Sequence, residues 1–79
     1  MKSTLTEIGD ATYLIIEHDT GPDAELDKRE AYVYELRPSR YVAEVLSLEW
    51  TEGVATPTVS SRGASSEVLR AVFRFFGLP

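Results

Sequence analysis

The chain has 79 residues, no cysteine, and 13 acidic against 8 basic side chains, a formal net charge of −5. That length is one small domain with a modest core. The missing cysteines exclude disulfides, thiolate nucleophiles and cysteine-built zinc sites, and the negative charge disfavours a phosphate backbone as partner. With 43% hydrophobic and 27% charged residues the composition is that of a folded globular chain. No apolar run reaches the roughly 20 residues that span a bilayer, and the N-terminus lacks the apolar stretch of a signal peptide, so the expected location is the cytoplasm.

The first regular pattern is TLTEI (Thr4 to Ile8), a short strand that turns at Gly9-Asp10 into ATYLIIEH (Ala11 to His18), which is rich in β-branched and aromatic residues. An acidic connection follows, EHDTGPDAELDKRE over residues 17 to 30. AYVYELR (Ala31 to Arg37) alternates Tyr32, Tyr34 and Leu36 against Ala31, Val33 and Glu35, the period of a strand. After a turn at Pro38, YVAEVLSLEW (Tyr41 to Trp50) fits a helix through Tyr41, Val45 and Leu48, or a strand with Val42, Leu46, Leu48 and Trp50 on one face. The flanking turns favour the strand, with W-T-E-G-V read as a three-residue hairpin loop closing on a left-handed Gly53. VATPTVSS (Val54 to Ser61) is the next strand, restricted to an edge or a bulge by Pro57, which lacks an N–H.

The last segment, ASSEVLRAVFRFFGLP, reads as a helix from Ser66 to Phe76, with Ser65 as N-cap, Glu67 in the first turn, Gly77 as the left-handed residue past its end and Pro79 beyond. Its apolar residues span an arc of about 200° at helical spacing, wider than one sheet face needs. Val68, Val72, Phe73, Phe75 and Phe76 therefore form either a core face under a curled sheet or, in part, a homodimer face. The predicted fold is α+β: an antiparallel meander of four or five strands with one C-terminal helix packed on one face, in a single domain over 1–79.

The chemistry is concentrated in the acidic connection. Asp19, Asp23, Glu25, Asp27 and Glu30 fall at positions 1, 5, 7, 9 and 12 of a calcium loop begun at Asp19. Position 6 is Ala24 where such loops need glycine, positions 3 and 4 are Gly21-Pro22, and the flanks are strands, so no metal site is expected. His18 has no second histidine to complete a transition-metal site and reads as a polar strand end. Ser60, Ser61, Ser65 and Ser66 surround Arg62-Gly63 without the glycine-rich cradle of a phosphate loop, which leaves turn formation and capping as their roles. No catalytic set emerges, no cofactor is implied, and the chain is expected not to be an enzyme.

The functional expectation is a small acidic protein-binding module, as accessory regulators and phage-type inhibitors are. Asp19, Asp23, Glu25, Asp27 and Glu30 would meet a basic partner, including a nucleic-acid-binding surface covered in place of phosphate. The alternative is a single-stranded nucleic-acid binder, acting as a homodimer, that stacks bases on Tyr32 and Tyr34 and holds phosphates with Arg37 and Arg40. Core or cross-strand packing is the competing reading of those tyrosines.

Overall fold

A computed structural model describes residues 1–19, 28–37, 42–51 and 53–79. Five strands, β1 (Lys2–Ile8), β2 (Ala11–Asp19), β3 (Lys28–Leu36), β4 (Val42–Thr51) and β5 (Thr58–Ser61), are followed by one helix, α1 (Ser66–Phe75). The sheet is an antiparallel meander in the order β1-β2-β3-β4-β5, and α1 crosses one face, as the alternation and the C-terminal periodicity predict. β1 is longer than TLTEI alone, because its ladder runs from Ile8↔Ala11 to Lys2↔Glu17. Gly9 takes a φ of 61° in the intervening two-residue turn, where a side chain would be strained.

Under the helix the core consists of Tyr13 and Ile15 from β2, Ala31 and Val33 from β3, Val45, Leu46 and Leu48 from β4, and Val68 and Val72 from α1. Burying a Val, Leu or Ile contributes about 1.5–3 kcal/mol each, so these few residues carry most of the fold's driving force. Val45 and Leu46 are consecutive and both buried, which strict alternation forbids. A β-bulge resolves this: Val33 pairs with Leu46 and Tyr34 with Glu44, leaving Val45 as the extra residue. The expected grouping of Val42 with Leu46, Leu48 and Trp50 is thereby corrected. Val42 pairs with Leu36 on the opposite face and is 54% exposed.

The β4–β5 connection also differs from the expected three-residue hairpin. Gly53 is left-handed as predicted, with a φ of 80°, and the Val54 N–H donates to the Thr51 carbonyl at 3.0 Å. The last β4–β5 pair is nevertheless Glu49↔Thr58, so β5 starts after Pro57 rather than at Val54. Proline has no N–H to extend the ladder.

The helix ends are built as the sequence implies. Ser65 Oγ accepts from the Val68 N–H at 3.3 Å. Past Phe76, the Gly77 N–H donates to Arg74 and the Leu78 N–H to Phe73, a paired closure made possible by the Gly77 φ of 69°. The wide apolar arc finds much of its cover within the chain. Leu69, Phe73, Phe76 and Leu78 pack against the core, Phe76 meets Trp50 edge-on at 5.1 Å between ring centres, and Phe75 stays 42% exposed.

Candidate functional site

The sheet has a second face, opposite α1, and its composition follows from the register. Residues directly opposite one another in an antiparallel ladder share a face. One cross-strand row on this face is Leu5, Leu14, Tyr34, Glu44, and the next is Ser3, Ile16, Tyr32, Ser47, Ser60. On either side of these lie Glu7, Thr12, Leu36, Val42 and His18, Glu30, Glu49, Thr58. Where β2 and β3 cross these two rows the face is aliphatic and aromatic, with Leu14, Ile16, Tyr32 and Tyr34 half-buried, and Leu5 beside them on β1 is 65% exposed. An ordinary solvated sheet face would alternate to polar residues here. Contiguous apolar surface with a polar border is the usual form of an interaction site.

Carboxylates border this centre. Glu30 and Glu49 lie together in one outer row, Glu7 in the other, and Glu44 ends the row of Tyr34. Arg62 Nε approaches Glu44 Oε2 at 3.5 Å, partly offsetting that charge. The Tyr32 hydroxyl donates to Glu30 Oε2 at 2.9 Å, and that hydrogen bond, with desolvation, pushes the Tyr32 phenol above its ordinary value. A shallow depression beside it is bordered by Glu30, Ser47, Glu49 and Ser60.

The residues singled out in the sequence divide between the two faces. Tyr32 and Tyr34 do share the open face. Arg37 does not join them: its Nε donates to Glu35 Oε1 at 2.9 Å, and Glu35 lies opposite Tyr13 on the helix side. Arg40 lies outside the described residues. So do Asp23, Glu25 and Asp27. The two described acids at the ends of that stretch belong to different faces, Asp19 paired with Arg29 on the helix face and Glu30 with His18 on the open face. Among the described residues no group of three or more His, Asp or Glu is arranged to hold a metal ion. Ser61 Oγ accepts from the Ala64 N–H at 3.2 Å, so Ser61 and the Ser65 cap serve the β5–α1 turn.

Sequence reasoning missed the open-face set formed by Leu5, Leu14, Ile16, Leu36 and Val42 with Glu7, Glu44 and Glu49. Period-two alternation in β2 and β3 contained the signal. Assembling it required the strand order, and the bulge reversed the phase at Val42. On the helix side a separate cluster forms where the Arg29 guanidinium sits 4.7 Å from the Trp50 ring centre and 5.4 Å from that of Phe76. The same guanidinium donates to Glu17 Oε1 at 2.8 Å, and Lys2 Nζ lies 4.0 Å from Glu17 Oε2. This cluster ties the end of α1 to β2, β3 and β4.

No helix among the described residues is long and apolar enough to cross a membrane. Compared with models of protein families, with curated proteins and with solved structures, the chain matches none.

Proposed function

We propose that the protein is a non-catalytic protein-binding module whose open sheet face receives an apolar patch bordered by basic side chains on another protein. The observation that carries this reading is the row pattern of that face: Leu5, Leu14, Ile16, Tyr32 and Tyr34 in the two central rows, continued by Leu36 and Val42 in the row of Glu7, with Glu30, Glu44 and Glu49 on the remaining border. An apolar aromatic centre supplies affinity, and the acidic border supplies steering and register. The acids between Asp19 and Glu30 add to the same long-range field, drawing in a basic partner such as a regulated nucleic-acid-binding protein.

The tyrosines also suit base stacking, which is the one observation in favour of a single-stranded nucleic-acid binder. The charge opposes it: among the described side chains four carboxylates share that face with Arg62, and Arg37 is engaged by Glu35 on the other side.

A photo-crosslinking side chain at Tyr34, compared with one at Arg70 on α1, tests the proposal in the native host. A protein adduct formed at position 34 and not at 70, and weakened by Glu30→Gln with Glu49→Gln, is the expected result. Equal adducts at both positions, or anisotropy of labelled single-stranded DNA or RNA rising at micromolar protein in low salt, would count against it.

A further inference from the structure

The two edges of the sheet are unlike. β5 has four residues and is preceded by Pro57, so it offers little to an added strand. β1 has seven residues, no proline, and an uninterrupted register against β2. It stands last in the strand order, so among the described residues no strand pairs with its outer side. Lys2 and Glu7, near its ends, are its charged side chains.

The turn fixes which backbone groups that edge presents. With Ile8 opposite Ala11 across a two-residue turn, the Ile8 backbone groups face β2, and alternation turns those of Thr6, Thr4 and Lys2 the same way. The N–H and C=O groups of Ser3, Leu5 and Glu7 therefore point outward. The side chains of the same three residues lie on the open face, in the rows of Ile16–Tyr32, Leu14–Tyr34 and Thr12–Leu36 respectively. A strand added here completes a ladder and extends the open face in one step, with its apolar row continued at Leu5.

We infer that β1 takes an extended, basic segment of the partner protein as an added antiparallel strand. The inference rests on the open-face reading above and states how the partner is gripped. Side chains opposite Glu7, Leu5 and Ser3 decide the fit: Lys or Arg against the carboxylate, a branched aliphatic against Leu5, and Ser or Thr against Ser3. Read along the added strand, the pattern is Lys-X-Ile-X-Thr, with the named residues on the open-face side. Main-chain hydrogen bonds give affinity in such additions, and the alternate side chains give selectivity. A second copy is the poorer occupant. Pairing β1 with itself about a twofold axis at Leu5 sets Glu7 against Ser3, supplies no cation, and brings together two chains of net charge −5.

The test uses the full chain, labelled with 15N, and a short synthetic peptide containing Lys-X-Ile-X-Thr. Two N-methylated versions accompany it, one methylated at Ile, whose N–H faces β1, and one at an intervening X, whose N–H faces away. Expected are slowed amide exchange at Ser3, Leu5 and Glu7 with Thr4 and Thr6 unchanged, and a loss of roughly tenfold or more in affinity for the Ile-methylated peptide alone. Peptide binding that shifts Tyr32 and Tyr34 with the β1 amides unaltered, and both methylated peptides binding equally, would overturn the edge inference and leave the open-face proposal standing. Absence of binding at millimolar peptide would overturn it as well. So would slow exchange at Ser3, Leu5 and Glu7 in the free protein together with a dimer in sedimentation, which would assign the edge to a second copy.

Discussion

Replacing Arg29 with alanine should unfasten the end of α1 from the sheet. The guanidinium sits over Trp50 at 4.7 Å and beside Phe76 at 5.4 Å while donating to Glu17 at 2.8 Å. Each ring contact is worth about 0.5–1 kcal/mol at a partly exposed site, and the ion pair about 0.2–1 kcal/mol after solvent screening, since Arg29 is 45% exposed. Glu17 adds a further cost: its side chain is only 15% exposed, and Oε2 is buried without a hydrogen-bond donor among the described residues, so losing Arg29 leaves a poorly solvated carboxylate 4.0 Å from Lys2 Nζ. The expected loss is about 1.5–3 kcal/mol, from a total of about 4–12 kcal/mol for a domain of this length. Trp50 is the sole tryptophan, so its fluorescence during urea unfolding reads the change directly and its emission should move to the red as the ring gains water. Arg29→Lys should recover only part of the loss, because an ammonium keeps the charge and gives up the planar stack. A loss below about 0.5 kcal/mol for Arg29→Ala, with the Trp50 emission unmoved, would show that the cluster does not hold the helix.

Three further perturbations probe the scaffold. Tyr13 has its phenol pushed above the ordinary value of 10.0 by burial first and then by Glu35, and Tyr32 shifts in the same direction. The folded state thus favours the neutral phenols, so their stabilisation is complete below the unfolded value and is lost as pH rises through the raised folded values. Tyr13→Phe should flatten the alkaline limb of an unfolding curve and leave neutral pH little changed. Gly9→Ala should cost about 1 kcal/mol by thermal unfolding, because φ is 61° and an added Cβ would stand 3.1 Å from Glu67 Oε1. Adding Glu67→Ala should relieve the contact and not the backbone strain. Deleting Val45 should close the bulge, preserve the pairing of Tyr34 with Glu44 and of Val33 with Leu46, and cost about 2–3 kcal/mol for the lost buried side chain; amide exchange showing a slipped β3–β4 ladder would contradict this reading.

Where local rules decided the structure, the sequence was legible. The α1 cap at Ser65, its end at Gly77 and the alternation of Tyr32, Tyr34 and Leu36 against Ala31 and Val33 all depend on residues within a turn or a strand of one another. Val42 was misplaced because a bulge depends on what the neighbouring strand can accommodate: two consecutive apolar residues, Val45 and Leu46, both gain by facing the core, and the ladder yields one residue to allow it. β5 was overextended because Val54 to Thr56 have strand-like neighbours, whereas pairing stops at Pro57. The wide apolar arc of α1 left two occupants open: Trp50 covers part of it by tertiary contact and Leu78 by the local turn at Gly77, while Phe75 stays 42% exposed. The open face was the least legible part, since each strand contributes only two to four residues to it and its character emerges from their sum.

That face combines two kinds of side chain that should separate in binding kinetics. Glu30, Glu44 and Glu49 lie toward its border, where charges act over distance and chiefly set the rate of encounter. Leu14 and Tyr34 share its central row, where contact forms only after docking and chiefly sets the rate of departure. Neutralising the three carboxylates to glutamine should therefore slow association by roughly tenfold at low salt, converge with the unmodified protein as salt rises, and leave dissociation nearly unchanged. Leu14→Ala with Tyr34→Ala should instead speed dissociation at every salt concentration. Surface plasmon resonance with the free partner identified by crosslinking reads both rates in one experiment. If the glutamine variant changed only dissociation, the acids would be desolvated contacts at the centre of the interface, and the partner would have to place its basic side chains over Tyr32 and Tyr34 rather than around them.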